Sequence, residues 1–186
     1  MGWLDGLLGR KKRDKLTTTE IAQSLAAAVQ AGTADLINNL ESLGLARDDP
    51  QRFKSVAFTV ECLLFIAFPI DVISSGEFGP HSEAIMAELS DYLFQVAQNM
   101  VGLDPKHRSQ FEKLKFARFV EYAEALKAGA DDRAWGEKLC SLAAERILPG
   151  KGRDSSVIIC LTADLTSRFK IFGGMGSWVE IVDGPR

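Results

Sequence analysis

The chain is poor in the residues that most often betray a chemistry. Its only histidines are His81 and His107. No Glu-x-x-His pair occurs, so the pattern of carboxylate-bridged di-iron bundles is missing. Glu77 and His81 stand four apart, but Gly79-Pro80 breaks the helical spacing between them. No metal site and no cofactor is expected.

Cysteine is scarce as well. Cys62, Cys140 and Cys160 are odd in number, far apart and set among apolar neighbours, with no CxxC pair. That excludes a disulfide framework or a zinc knuckle and fits buried, reduced thiols in a cytoplasmic protein. An excess of positive charge is lacking too. With a formal net charge of −3, the chain has no basic face for neutralising phosphates, and nucleic acid is not an expected partner. The N-terminal charges follow a short apolar stretch, whereas a secretory signal places them before it. Myristoylation of Gly2 is not expected, because position 6 is glycine rather than Ser or Thr. No internal repeat and no low-complexity tract is visible.

What is present is an ordinary globular composition, 46% hydrophobic and 25% charged over 186 residues. This length suits one domain, or one domain with an appendage. Thr17-Thr18-Thr19-Glu20 fits a capping box that starts a helix. Ile21, Leu25, Ala28, Val29, Leu36, Ile37, Leu40 and Leu43 follow at helical spacing, up to Gly44. Asp49-Pro50 starts a second helix through Phe53, Val60, Leu64 and Phe68, which Pro69 is expected to end or kink. Gly76 to Pro80 reads as a loop. A third helix opens at Pro80 and carries Ile85, Leu89, Tyr92, Leu93, Val96 and Met100. Asp104-Pro105 starts a fourth, with Phe111, Leu114, Phe116, Phe119, Val120, Tyr122 and Leu126 as its apolar stripe, ending near Gly129. A fifth, with Asp131 and Asp132 at its start, runs through Trp135, Leu139, Leu142, Ala143 and Ile147 to Pro149-Gly150.

The expected architecture is mainly α, a bundle of about five helices with a small C-terminal appendage. The expected division is an amphipathic basic segment at 1–15, the bundle at 16–150 and the appendage at 151–186. In the appendage, residues 155–172 read equally as helix or strand. A hairpin pairing 168–172 with 178–182 is one arrangement of it. Gly173, Gly174 and Gly176 lack the Lys-Ser/Thr of a phosphate-binding loop and read as a turn. Around them, Phe172, Met175 and Trp178 are expected to fold back on the core. The stretch Phe172–Trp178 resembles a Gly-Gly-Met-Gly-Ser-aromatic segment of some small bacterial proteins, with Val179-Glu180 where those carry Asn-Asp. The resemblance is confined to this stretch and implies no activity.

Two features carry the functional reading. The first is the N-terminus, where Trp3, Leu4, Leu7 and Leu8 share a helical face and Arg10, Lys11, Lys12 and Arg13 follow at once. Such a segment suits an anionic membrane surface, a groove on a protein partner, or a frayed terminus packed loosely on its own domain. The second is the run VAFTVECLLFIAFPIDVI at 56–73, apolar but for Glu61 and Asp71. Its Leu, Ile, Val and Phe residues favour membrane insertion by about 5 kcal/mol, which the two carboxylates and Pro69 cancel. The run is therefore expected to be a core helix. An ionised Glu61 cannot stay unpaired in an apolar core. The leading expectation is that it reaches solvent on a narrow polar strip. The alternatives are a cation, for which Arg118 within the apolar fourth helix is the named candidate, or a protonated carboxyl. Glu121 and Glu124 read as a solvated face. The leading expectation is a non-enzymatic interaction protein, cytoplasmic or at the inner face of a membrane, with a protein partner or further copies of itself. The alternative is a small-ligand-binding or regulatory domain with an internal site at Glu61 and Arg118.

Overall fold

A computed structural model of the chain describes residues 14–128 and 136–182. The elements in order are β1 (Asp14–Leu16), α1 (Thr18–Ser42), α2 (Leu45–Asp48), α3 (Pro50–Phe53), α4 (Val56–Phe78), α5 (Ser82–Val101), α6 (Arg108–Ala128), α7 (Glu137–Ile147), α8 (Ser155–Phe172), α9 (Met175–Trp178) and β2 (Val179–Ile181). Short 3₁₀ turns at Gly79–His81 and Pro105–His107 lead into α5 and α6. The fold is a mainly α bundle with two short strands at its ends.

Local signals set most helix starts. The Thr17 hydroxyl accepts from the Glu20 amide at 3.2 Å, and Glu20 accepts from the Thr17 amide at 2.8 Å, which completes the capping box. The Asp49 cap and Pro50 open only the one-turn α3, however. The long helix starts afresh where Ser55 accepts from the Phe58 amide at 3.2 Å. The single second helix expected from Asp49 onward is thus two helices.

The apolar run lies at the centre. α4 packs against α1, α5, α6, α7 and α8, and residues 58–70 are buried without a break. By composition alone it is long and apolar enough to cross a membrane; here other helices cover it. Pro69 neither ends it nor moves Asp71 outside it, and the expected loop at Gly76 is the last turn of the same helix. A proline inside a helix costs about 3 kcal/mol, since it cannot donate to the carbonyl four residues back. Full burial of Leu63, Leu64, Phe65, Ile66 and Phe68, at about 1.5–3 kcal/mol each, outweighs that cost.

The tail also resolves. Asp154 accepts from the amides of Ser156 at 3.1 Å and Val157 at 3.3 Å. Val157, Leu161, Leu165 and Phe172 then bury one face of α8 against α4 and α7. The expected hairpin does not form, because 168–172 belongs to that helix. β2 pairs instead with β1, in parallel, with Lys15 opposite Glu180 and Leu16 opposite Ile181. Gly174 adopts φ 90°, as the turn requires. At Gly176 a Cβ would sit 1.9 Å from the Glu77 carbonyl oxygen, so only glycine fits there. Phe172 and Met175 fold onto the core. Cys62 and Cys140 are buried and Cys160 is half-buried, all as free thiols; burial pushes the Cys140 thiol up to about 11.

Candidate functional site

The packing of α6 on α4 brings Arg118 to Glu61. Arg118 Nε donates to Glu61 Oε2 at 2.8 Å and to Oε1 at 3.0 Å, and Nη2 donates to Oε1 at 2.8 Å. The guanidinium fork therefore occupies both carboxylate oxygens. Both side chains are largely covered, at 8% exposure for Glu61 and 15% for Arg118. The hydrogen bonds to Glu61 hold Arg118 above its already high ordinary value.

The charges continue outward in alternation. Arg118 Nη1 also donates to Glu121 Oε2 at 3.2 Å, one turn further along α6. From α7, Arg146 Nη2 reaches Glu121 Oε1 at 3.1 Å and Nε reaches Oε2 at 3.2 Å. Arg52 of α3 then donates to the carbonyls of Arg146 at 2.7 Å and Ile147 at 2.8 Å. Those carbonyls are free at the negative end of α7, where a cation is favoured. One connected chain of polar groups thus fastens α3, α4, α6 and α7. Next to it, the buried Tyr122 hydroxyl has no hydrogen-bond partner among the described residues, and burial foremost, then the Glu61 charge, pushes its pKa far up.

A second feature lies on the outside of the same helix. A groove of about 570 Å³ runs between α5 and α6. Met86, Leu89 and Leu93 form one wall, and Phe116, Phe119 and Val120 the other. Phe116 is 72% exposed and Val120 is 41% exposed. At the groove wall the Ser90 hydroxyl donates to Glu112 at 2.9 Å and accepts from Lys115, which also pairs with Glu112 at 2.6 Å. The serine proton points at a carboxylate, and the lysine acts as donor. This is not the arrangement of a serine nucleophile with a lysine base, which would take the serine proton.

Set against the expected site, the outcome is mixed. Glu61 and Arg118 meet. Trp3, Leu4, Leu7, Leu8, Arg10, Lys11, Lys12 and Arg13 lie outside the described residues, as do Asp131, Asp132 and Trp135. Glu121 is not a solvated face residue but the bridge between two arginines; its position three residues after Arg118 was the available signal. The expected α6 stripe is too wide for one face. Phe111 and Tyr122 are buried, whereas Phe116 and Val120 look outward, since a 3.6-residue period cannot point all of them inward. Among the described residues, no group of His, Cys, Asp and Glu side chains is arranged to hold a metal ion. Family models, curated proteins and solved structures yield no match to this chain.

Proposed function

We propose that the chain is a non-enzymatic interaction protein. It works as a peripheral, cytoplasmic subunit that docks to an anionic membrane surface or a larger assembly through residues 3–13 and offers the outer face of α6 to a protein. The observation that supports this reading most is the exposed Phe116–Val120 ridge beside an apolar groove. Phe116 and Val120 continue into the apolar walls of that groove, and a contiguous exposed apolar surface, unlike a lone exposed side chain, marks a docking site. The alternative, a ligand site at Glu61 and Arg118, has less in its favour, because Arg118 already occupies both oxygens of Glu61.

Removal of residues 1–13 should abolish co-sedimentation with phosphatidylserine vesicles, or recovery of a native partner, and leave the helical circular-dichroism signal intact. Phe116→Asp should weaken partner recovery and leave vesicle binding unchanged. Wild-type behaviour of both variants in both assays would dispose of the reading.

A further inference from the structure

We propose that the outer face of α6 pairs with the same face of a second copy of this chain, antiparallel, about a two-fold axis. The proposal rests on the reading of that face as a docking surface and names its occupant. The exposed positions Lys113, Phe116, Ala117, Val120 and Glu124 fall at the i, i+3, i+4, i+7 and i+11 spacing of one helical stripe. Its centre is apolar, with Lys113 at one end and Glu124 at the other. Lys127 stands a turn beyond Glu124, where an antiparallel pairing sets it opposite the second copy's uncharged Ser109. Neither Lys113 nor Glu124 has a hydrogen bond or ion pair among the described residues. About 1.5 Å of rise per residue puts them roughly 16 Å apart, too far to pair within one chain.

Charge decides the orientation. A parallel pairing sets lysine beside lysine and glutamate beside glutamate. An antiparallel pairing about an axis midway between Phe116 and Val120 brings Lys113 near the second copy's Glu124. It also brings Phe116 near the second copy's Val120, and symmetry makes each contact twice. Glu112, the other acid near that end, is already neutralised by Lys115. Antiparallel helices also oppose their dipoles. A single helix face with an adjoining groove edge makes a small interface, so the pairing is reversible and depends on concentration.

The test is sedimentation equilibrium of the full-length chain from about 1 to 200 μM. The expected mass climbs from one chain towards two across that range. Lys113→Glu alone and Glu124→Lys alone should each weaken association about tenfold, and the two together should restore it, because the swapped charges pair again across the axis. A chain that stays monomeric throughout overturns the proposal, as does a double swap that fails to rescue. If that monomer still loses its native partner on Phe116→Asp, the docking face stands and only its occupant was wrong. A dimer that persists in Phe116→Asp places self-association elsewhere and overturns the proposal.

Discussion

Arg118 grips Glu61 with three hydrogen bonds of 2.8–3.0 Å, joining α6 to the most buried helix of the bundle. An ion pair so covered is costly to form and costlier to break singly. Glu61→Leu should destabilise the fold by about 3 kcal/mol, towards the low end for a buried pair, because Glu121 still faces Arg118. Arg118→Met alone should cost a similar amount, since it strands the carboxylate. The double variant should return to within about 1 kcal/mol of wild type, as apolar replacements of buried pairs do. Denaturant unfolding of the four proteins measures this. Strictly additive losses would mean that the two groups do not depend on each other.

Tyr122 offers the opposite sign. Its hydroxyl is buried without a partner among the described residues, while its ring stacks edge-on against Phe65 at 6.2 Å and Phe68 at 5.5 Å. Tyr122→Phe keeps the ring contacts and removes the stranded donor. Thermal unfolding should show an unchanged or raised midpoint, with a gain of up to about 1 kcal/mol. A clear loss of stability would mean that the hydroxyl is satisfied in solution.

Two close glycine contacts should respond differently to alanine. At Gly176 the added Cβ meets backbone, the Glu77 carbonyl at 1.9 Å, and the Gly176 amide also donates to the Glu77 carboxylate at 2.9 Å. Gly176→Ala should cost about 1–3 kcal/mol and speed amide exchange in β1 and β2. At Gly32 the Cβ meets the end of the Arg168 side chain at 2.8 Å. The Arg168 guanidinium is held by Asp164, yet the end of a side chain gives by a few tenths of an ångström at less cost than backbone, and alanine gains about 1 kcal/mol of helix propensity. Gly32→Ala should therefore change stability by less than about 1 kcal/mol. Equal effects at the two sites would contradict the contrast between backbone and flexible side chain.

The two carboxylates at the start and middle of α8 should titrate in opposite directions. Asp154 accepts the Val157 amide foremost, with help from Lys151 and the Ser156 amide, so its carboxyl is held low. With a folded value below the unfolded one, near 4, its stabilisation is present above that pH and fades as pH falls through the folded value. Asp164 is raised by burial, against the pull of Arg168. Its contribution is present below the unfolded value and is lost as pH rises through the folded one. Carboxyl NMR should place the Asp154 midpoint below about 4 and that of Asp164 above it. Asp154→Asn should lose less stability than wild type between about pH 6 and 3. Midpoints in the reverse order would contradict both causes.

Much of the fold was legible because its signals act within one turn. The Thr17 box and the proline-led starts at Pro50 and Pro105 are satisfied by neighbours in the chain. Glu61 was legible only in part, since a carboxylate inside so apolar a run must meet solvent, a proton or a cation, and it is the packing of α6 on α4 that selects Arg118. Glu121 and Arg146 were missed because an acid on a helix and an arginine near a helix end look like ordinary surface residues until α6 and α7 are packed together. Phe116 was misplaced because an apolar residue carries no mark of the side it faces.

By itself, then, the sequence determined that this chain is helical, that the run at 56–73 supplies its core helix and that Glu61 within it must meet solvent, a proton or a positive charge. Tertiary structure alone decided that α4 runs through Pro69, that 155–172 is helix, that β2 pairs with β1, and that α6 turns part of its apolar surface outward. The reason is the range of the forces. Caps and proline starts are local, whereas burial, strand pairing and ion-pair geometry depend on residues brought together from distant parts of the chain.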